Sequence, residues 1–493
     1  MRKILYILLL FSCSVMGQVY DSIVYINPDF SGVEQGTKSN PYNDWDNDIT
    51  FNSNTAYLQK RGTTITNTSE MLVQGKDNVK IGAYGAGTTK PIINNIIGEG
   101  IVKLHYSSGC LVDSIEFTGD IEESIFGVYI SGFWQAGSNS SYNNTITNCI
   151  MHDMYNGIRS MPYSTSNDTL TVNNCEIYDI HNDGIFVQQA DCTNVRNSNI
   201  YRINMGWHLV PGAHGNDLLS TGDCIQFALG MPRWSVKNTI MDRRYTGNKF
   251  CFIYNTGGAL TTGRGLLEDN TFYPPKDTTG GDGGAAIFLK WANNVTFRNN
   301  ITIGEGYPGG DDSHVSTLSS SNVDTIAYYG NLFKNTHNFN VGAGVTLLDL
   351  VNNTFANTVD FGGEKIIISD APAIYKNNVI AIRTADIPYQ WNSGVVSTTN
   401  HLIEGSSATW TTNPSFVSTS DFNLLVGSTL VNNGTNDANI TIDLGGTARP
   451  QDGTMDIGAY EYTPVGGGSP VTGTRNVSSG GVRLTNKGKT LKL

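Results

Sequence analysis

The sequence predicts an all-β fold in which short strands stack as a parallel β-helix. Two observations lead to this prediction: a composition typical of turns and a short motif that recurs along the chain. Only 15% of the 493 residues are charged and 55 are glycine, while Asn, Ser and Thr, which favour turns, are abundant. No stretch after residue 17 has the apolar periodicity of an amphipathic helix. This composition indicates an all-β protein with many turns.

The recurring motif contains an Asn or similar polar residue, then a small residue, then two apolar residues separated by one position. Its copies lie between residues 147 and 382. We take the following small residues as equivalent: Cys149, Cys175, Ser198, Thr239, Thr271, Asn300, Asn331, Thr354 and Asn378. The shortest spacing is 23 residues, as between Cys175 and Ser198, and inserted loops lengthen the others. Such a period indicates a solenoid, in which each unit buries its apolar face only against its neighbours.

Each unit alternates apolar and polar residues, which is the pattern of strands and not of helices. Short strands separated by Asn and Gly turns fit the coils of a parallel β-helix, and the chain is long enough for about ten or more coils. Stacked Asn side chains can then bond from coil to coil. The alignment also places Cys149 above Cys175 in the core. We expect two buried thiols there, with a disulfide as the alternative.

The two ends of the chain differ from the repeats. Residues 1–17 have early cations, a short apolar run and a small residue at the end, which is the pattern of a secretory signal peptide. No later stretch approaches the length of a membrane helix. Residues 18–462 form the predicted β-helix domain with its closing segment, and residues 463–493 are a Gly/Ser/Thr-rich linker with a basic tail. We therefore expect an exported protein, secreted or at the cell surface.

Four segments carry a resemblance to a known superfamily. They are YINPDFSGVEQGTKSNPY (25–42), VKIGAYGAGTTKPII (79–93), NPSFVSTSDFNLLVGSTLVNNGT (413–435) and ARPQDGTMDIGAYEY (448–462). In these segments the chain resembles secreted bacterial proteins of the pectate-lyase-like superfamily. The resemblance implies a single-stranded, right-handed parallel β-helix and an activity on carbohydrates. Because one fold carries many functions, the chemistry must be argued from the residues.

One column of the predicted solenoid contains acids. Asp183 lies eight residues after Cys175, and Asn156 seven after Cys149. Asp223 joins the same column once an insertion at residues 201–221 is removed. Neighbouring coils are about 4.8 Å apart, so the two carboxylates must share a cation, share a proton or repel. We predict a calcium site formed by Asp183, Asp223 and the side-chain carbonyl of Asn156.

The inserted loop and the next coil carry the other candidate residues. In a protein of net charge -12, their cations form a local basic patch that could hold an anionic ligand. Aromatic side chains there could stack on sugar rings. The predicted substrate-binding residues are His181, Trp207, His208, Gln226, Arg233, Arg244 and Tyr245. The alternative is that the acids belong to turns and the cations to a solvated face.

The resemblance implies β-elimination from a uronate-containing polysaccharide, in which a cation neutralises the substrate carboxylate and a base removes the adjacent proton. We predict Lys249 as the base, because a desolvated lysine near other cations loses its proton readily. His214 is the second candidate. Arg243 would bind the substrate carboxylate through two hydrogen bonds. The predicted partner is an anionic polysaccharide and the candidate cofactor is Ca²⁺.

Two other functions remain open at the level of sequence. A glycoside hydrolase would use two carboxylates, with Asp217 or Asp282 as a partner, but the complete acid cluster of polygalacturonase-like hydrolases is absent. The Asn-Gly-Gly-Glu stretch of alginate- and chondroitin-type β-helix lyases is absent too. A non-catalytic adhesin or phage-type spike would bind glycans without cleaving them. Nothing indicates a nucleic-acid partner, and we expect a monomer.

Overall fold

The structure is a computed structural model, and it describes most of the chain between residues 18 and 463. The described residues are 18–45, 49–67, 69–95, 99–119, 125–132, 141–161, 169–188, 190–203, 222–228, 231–244, 253–256, 263–274, 287–290, 292–304, 323–336, 339–342, 344–358, 363, 365–383, 385–404, 416–418, 421–463, 485–486 and 489–490. They contain β-strands and no helix, and hence none that could cross a membrane. The predicted signal peptide lies outside these residues.

The strands are short and follow one another closely along the chain. They are β1 Ser22–Ile26, β2 Thr55–Lys60, β3 Thr64–Asn67, β4 Met71–Gln74, β5 Lys80–Tyr84, β6 Ile92–Asn95, β7 Gly100–His105, β8 Leu111–Asp113, β9 Glu116–Thr118, β10 Phe126–Ser131, β11 Asn144–Thr147, β12 Ile150–Met154, β13 Asn156–Met161, β14 Thr169–Asn173, β15 Glu176–Ile180, β16 Ile185–Gln188, β17 Cys192–Arg196, β18 Asn199–Ile203, β19 Ile225–Ala228, β20 Arg233–Lys237, β21 Ile240–Asp242, β22 Ile253–Thr256, β23 Gly263–Glu268, β24 Thr271–Tyr273, β25 Ile287–Lys290, β26 Ala292–Arg298, β27 Ile301–Ile303, β28 Val323–Tyr329, β29 Leu332–Lys334, β30 Phe339–Val341, β31 Val345–Val351, β32 Thr354–Ala356, β33 Lys365–Ser369, β34 Ala373–Lys376, β35 Val379–Ile382, β36 Ile387–Trp391, β37 Val395–Thr398, β38 His401–Glu404, β39 Thr485–Asn486 and β40 Lys489–Thr490.

Three long parallel sheets contain most of these strands. Sheet A has the order β1-β2-β5-β8-β11-β14-β17-β20-β23-β26-β28-β31-β34-β37, sheet B the order β3-β6-β9-β12-β15-β18-β21-β24-β27-β29-β32-β35-β38, and sheet C the order β4-β7-β10-β13-β16-β19-β22-β25. From β2 to β27 the chain enters sheets A, B and C in turn, once per coil. Strands β30, β33 and β36 form a further parallel sheet, sheet D, in the later coils. This arrangement is a parallel β-helix, which confirms the predicted fold class.

The core follows from the alternation within each strand. Successive side chains point to opposite faces of a sheet, so every second residue of a strand points into the coil. In sheet A the inward residues Val112, Ile146, Val172, Val195 and Val236 lie in register in five successive coils, and each is fully buried. Each coil therefore buries its apolar side chains against those of the coils before and after it.

A ladder of asparagine side chains runs through the turn between sheets A and B. The Oδ1 atom of Asn331 accepts from the backbone N–H of Asn300 at 2.8 Å and from its amide at 3.0 Å. Asn331 in turn donates to Oδ1 of Asn353 at 2.9 Å, and Asn353 donates to Asn378 at 3.0 Å. The predicted coil-to-coil bonding of Asn side chains is confirmed. It satisfies amide groups that burial would otherwise leave without partners.

Two of the equivalent positions predicted from sequence are wrong by one residue. Thr271 and Thr354 begin strands of sheet B, and the ladder contains Asn270 and Asn353 instead. In both copies of the motif two polar residues are adjacent, so composition alone does not show which one points inward. An asparagine fits the ladder because its amide both donates and accepts.

The residue before each ladder position has a left-handed backbone. Its φ angle is 55° at Asn148, 52° at Asn174, 53° at Asn197 and 48° at Asn238, and at Gly330 it is 67°. Glycine adopts this conformation without steric cost, and asparagine and aspartate adopt it at a lower cost than other residues. The recurring polar residue of the sequence motif is therefore the one that turns the chain from sheet A to sheet B.

The cysteine column is present as predicted. The backbone N–H after Cys175 bonds to the carbonyl of Cys149 at 2.9 Å, and Ser198 and Thr239 continue the series in the next two coils. Cys149 and Cys175 are buried and free. Each thiol lies near the backbone carbonyl two residues earlier in the chain. The hydroxyl of Ser198 has the same position, 2.9 Å from the carbonyl oxygen of Arg196. The thiols thus take the place of small polar ladder residues.

The closing segment, described at residues 416–418 and 421–462, packs against the last coils on the side of the Asn turn. Asn352 donates to the carbonyl of Asp456 at 2.7 Å. Asn377 exchanges two bonds with the backbone of Thr435, at 2.7 and 2.8 Å. The left-handed asparagines Asn352 and Asn377 of the last coils thereby gain partners in the closing segment.

His152 on the outer face of sheet B should make stability depend on pH. Burial alone would lower its pKa, but hydrogen bonds to Asp153 at 2.8 Å and Glu116 at 3.3 Å raise it to about 9. A raised pKa contributes stability that is full below the unfolded value of 6.5 and lost as the pH rises through 9. In urea unfolding, we expect His152→Gln to be less stable than the wild type at pH 6 and nearly equal to it at pH 10. An equal deficit at both pH values would contradict this expectation.

Candidate functional site

The predicted acid column lies in the turn that leads from sheet B into sheet C. The strand register aligns Ile185 with Ile225, so Asp183 lies beside Asp223 of the next coil. The register of β13 with β16 likewise aligns Asn156 with Asp183. All three side chains are buried, with exposures of 0–4%. The structure therefore confirms that these residues share one column, and that the late arrival of Asp223 in the sequence reflects an insertion.

Hydrogen-bond donors surround Asp183. Its Oδ1 atom accepts from the backbone N–H of Asp223 at 2.8 Å, and its Oδ2 atom from the amides of Asn182 at 3.0 Å and Asn156 at 3.3 Å. Burial raises the pKa of Asp183 to about 7, against the opposing effects of the Asp223 and Asn156 bonds and the positive charge of Arg159. Burial therefore favours the neutral form of this carboxyl group.

This arrangement does not fit the calcium site predicted from the sequence. Calcium takes six to eight oxygen ligands, whereas N–H donors occupy both oxygens of Asp183. Asn156 directs its amide N–H at Asp183, and its Oδ1 atom has no partner among the described residues. That part of the chain also contains no group of three or more His, Cys, Asp or Glu side chains that could hold a metal. The Oδ1 atom of Asn156 and the carboxylate of Asp223 would offer at most three further oxygens, fewer than calcium takes.

The outer face of sheet C begins next to the acid column. One outward position recurs in five successive coils, and strand register places its residues side by side: Lys103, Tyr129, Arg159, Phe186 and Gln226. We call these five residues the sheet C track. Cations and aromatic rings alternate along its first four positions. Such a track offers both charge and flat apolar surface to an extended ligand.

Arg159 has an unusual environment for a charged side chain. Its guanidinium lies 4.9 Å from the ring centre of Phe126 and 5.1 Å from that of Phe186. Its Nε–H points to the sulfur of Met161 at 3.4 Å, a weak acceptor. Within the described residues Arg159 forms no ion pair with a carboxylate. The two rings therefore hold a half-buried guanidinium group that forms no hydrogen bond to a carboxylate of the described residues.

Lys103 lies two coils earlier on the same track and differs from Arg159. Its Nζ atom is 5.3 Å from the ring centre of Tyr129 and pairs with Glu99 at 2.7 Å and Glu70 at 3.6 Å. Burial would lower the pKa of Lys103, but its carboxylate partners raise it overall. Lys103 is therefore a neutralised cation, and Arg159 is the one that can attract an anion.

Several predicted substrate-binding residues lie within the described chain, in different places. Gln226 belongs to the sheet C track. His181 is buried and stacks on Tyr155, with ring centres 5.2 Å apart. Arg233 is exposed on sheet A, where it pairs with Asp191 at 2.7 Å. Arg244 lies on the side of sheet B. Among the described residues, the two predicted binding arginines Arg233 and Arg244 therefore lie on different sheets.

The two neighbouring arginines after β21 are both engaged within the fold. Arg244 forms a bidentate pair with Asp242, at 2.7 and 3.0 Å, and covers the ring of Tyr273 at 4.2 Å. Arg243 is 2% exposed. Burial raises the pKa of the Cys224 thiol to about 12, and the nearby charge of Arg243 lowers it. A side chain so deeply buried does not fit the predicted role of binding a substrate carboxylate at the surface.

The remaining predicted residues cannot be placed in the fold. Lys249, His214, Trp207, His208 and Tyr245 lie outside the described residues, as do Asp217 and Asp282 of the hydrolase alternative. Their roles stay predictions from sequence.

Arg159 and Phe186 were not among the site residues predicted from the sequence. A signal for them exists: glycine followed by an apolar residue opens the relevant strand regions at Gly127, Gly157 and Gly184. A Cβ atom at Gly157 would lie 2.7 Å from the carbonyl of Gly184, so close backbone approach requires glycine there. Aligning these glycines would have placed Tyr129, Arg159 and Phe186 in one column.

Comparisons with known proteins identify similar folds and no close relative. No protein-family model matches the sequence, and no curated protein matches it significantly. Among similar solved structures is pectate lyase Pel9A, with 15% identity over 91% of this chain and 98% of that chain and a TM-score of 0.45. The A-module of Azotobacter vinelandii mannuronan C-5 epimerase AlgE6 has 12% identity over 71% of this chain and 90% of that chain, with a TM-score of 0.48. The GH136 lacto-N-biosidase of Eubacterium ramulus has 12% identity over 78% of this chain and 68% of that chain, with a TM-score of 0.37. The reactions in these names differ. The sheets of this chain themselves establish that it is a parallel β-helix protein.

Proposed function

We propose that the chain is a carbohydrate-active enzyme, a lyase that cleaves a uronate-containing polysaccharide by β-elimination. The observation that carries the proposal is Arg159, a cation held between two phenyl rings on an outward face without a carboxylate partner in the described chain. Guanidinium groups bind carboxylates through paired, charge-assisted hydrogen bonds. A uronate offers such a carboxylate on every sugar, and the sheet C track offers a line of positions for an extended polymer.

The chemistry needs two groups. When Arg159 binds the substrate carboxylate, it neutralises the charge and makes the proton on the adjacent carbon more acidic. A base then removes that proton, the bond to the glycosidic oxygen two atoms away breaks, and a carbon–carbon double bond forms. The leaving oxygen takes up a proton. Arg159 would stabilise the transition state electrostatically, because its positive charge is already in place where negative charge develops.

Lys249 remains our proposed base and His214 our second choice, on the sequence argument that places both next to the acid column. Asp183 acts as a positioning residue. Its carboxylate accepts a hydrogen bond from the backbone N–H of Asp223, and it lies close enough to Arg159 for that positive charge to lower its pKa. The proposal assigns no step to calcium. It includes export directed by residues 1–17 and a monomeric enzyme with an anionic polysaccharide as partner.

A glycoside hydrolase is the second candidate, because Asp183 has the raised pKa expected of a general acid. Against it, Asp183 is buried and accepts three hydrogen bonds from the protein. A general acid must reach the oxygen that it protonates. The lyase is therefore the function that the geometry supports better.

Replacing Lys249 with alanine tests the assignment of the base. We expect turnover of the acidic polysaccharide to be lost, since no group would remove the proton, while retention on immobilised polysaccharide is kept. Lys237→Ala is the matched control, because Lys237 pairs with Glu268 on sheet A, away from the site. Wild-type turnover in Lys249→Ala would contradict the assignment.

A further inference from the structure

The proposed elimination requires an acid as well as a base. When the bond to the glycosidic oxygen breaks, its electron pair stays on that oxygen, and a sugar alkoxide is a poor leaving group unless it is protonated as the bond breaks. An acid that donates this proton must lie within hydrogen-bond reach of the oxygen. It must therefore lie close to the cation that binds the carboxylate of the same sugar.

Tyr129 lies next to Arg159 on the sheet C track. The register of β10 with β13 pairs the two residues directly, which puts their backbones about 4.8 Å apart. The ring centre of Phe126 lies 4.9 Å from the guanidinium of Arg159 and 5.3 Å from the ring centre of Tyr129. Both side chains thus contact the same phenyl ring at the edge of one outward face.

The other positions of the track are less suited to donate a proton beside Arg159. Phe186, its neighbour on the other side, has no acidic proton, and Gln226 carries only an amide. Lys103 lies two coils away, and two carboxylates hold its ammonium group. A phenol has a pKa of about 10 and therefore carries its proton at neutral pH. Within the sheet C track, Tyr129 is the residue with both the proton and the position.

The surroundings of Tyr129 also suit the anion that it becomes after donating. The Nζ atom of Lys103 lies 5.3 Å from the ring centre of Tyr129, on the side away from Arg159. Attraction to an ionised Tyr129 is one of the effects that raise the pKa of Lys103. A positive charge near a phenol stabilises its ionised form, so proton transfer from Tyr129 leaves no isolated charge on the track.

We propose that Tyr129 is the general acid of the elimination, an assignment that rests on the proposed lyase function. The base takes the proton from the carbon next to the carboxylate, and the electron pair of that bond forms the double bond. The bond to the glycosidic oxygen breaks with its electron pair, and the oxygen takes the proton of the Tyr129 hydroxyl. The phenolate then regains a proton from water, and the base releases its proton to water.

Tyr129→Phe tests the assignment on two kinds of substrate. The variant keeps the ring that contacts Phe126 and Lys103 and loses only the hydroxyl. On alginate and pectate we expect kcat to fall about 100-fold, with KM nearly unchanged. The second kind is a methyl glycoside of mannuronate or galacturonate that carries a 4-nitrophenyl ether in place of the scissile glycosidic bond. Because nitrophenolate leaves without a proton, the variant should release it as fast as the wild type.

Two further variants complete the comparison. Arg159→Gln should be slow on both kinds of substrate, because both contain the carboxylate that the guanidinium neutralises. Tyr84→Phe is the matched control, since Tyr84 packs edge-on against Tyr25 in sheet A, with ring centres 4.9 Å apart. It should behave like the wild type on both. Urea unfolding followed by circular dichroism verifies that each variant is folded.

Two outcomes would overturn the inference. If Tyr129→Phe cleaves the polysaccharides at the wild-type rate, its hydroxyl is not the acid. If the variant is equally slow on both kinds of substrate, the hydroxyl positions the sugar and does not supply the proton. In both cases the wild type still forms unsaturated uronate, so the lyase function stands. A wild type that forms none would refute the lyase function, and this inference with it.

Discussion

Arg159→Gln should lower kcat/KM on an acidic polyuronate by roughly 100-fold, since a charge-assisted, bidentate contact to the carboxylate is lost. The effect should be much smaller on the methyl-esterified polymer, which has no negative carboxylate for the guanidinium to bind. Steady-state kinetics on both polymers, for wild type and variant, give the comparison. The preference of the wild type for the acidic polymer should largely disappear in the variant.

Two further variants make this experiment specific. Arg159→Lys keeps the charge but loses the planar fork that binds a carboxylate and stacks between Phe126 and Phe186, so we expect only partial activity. Arg196→Gln is the control, because Arg196 is exposed on sheet A. If Arg159→Gln kept the preference for the acidic polymer, another cation would bind the substrate carboxylate. The sheet C track would then not be the binding surface.

Asn331→Ala should destabilise the fold by roughly 3–5 kcal/mol. The change removes the acceptor of the Asn300 backbone N–H and the donor to the carbonyl of Phe297, bonds of 2.8 and 3.0 Å in a buried turn. Buried backbone groups left without partners lose their full hydration energy, and the missing amide leaves a cavity. Urea unfolding followed by circular dichroism measures the loss.

Asn331→Thr is the matched variant for this prediction. A threonine already occupies the ladder at Thr239, where its hydroxyl donates to the carbonyl of Lys237 at 3.0 Å. We therefore expect the threonine variant to lose clearly less stability than the alanine variant. Equal losses would mean that the volume of the side chain, and not the ladder of hydrogen bonds, stabilises this turn.

The fold could be predicted because its determinants are local and repeated. From Cys149 to Asn378, each turn between sheets A and B has one residue with a left-handed backbone followed by one small or polar inward side chain, and the sequence shows this pair in each of those copies. The pair also explains the errors at Thr271 and Thr354, where two adjacent polar residues compete for one inward position. Only the hydrogen-bond geometry of Asn270 and Asn353 decides between them.

The site could be predicted only in part. The column of Asp183 and Asp223 followed from a repeat count with one insertion. Whether those carboxylates face solvent or amide donors depends on side-chain packing, and the spacing of the repeats carries no information about that packing. Arg243 looked like a surface cation and is buried. Arg159 was missed because its role depends on Phe186, its register partner in a third sheet, and on Phe126, which its side chain contacts.

The product of cleavage tests the central claim most directly. Purified protein is incubated with alginate, pectate and sulfated algal glycans, and new reducing ends and the ultraviolet absorbance of unsaturated uronate are measured in parallel. The lyase predicts that, on a polyuronate, the absorbance rises in step with the reducing ends. Reducing ends without that absorbance would show hydrolysis, and a polymer that stays bound but uncut would show a binding protein; either result would contradict the proposed β-elimination.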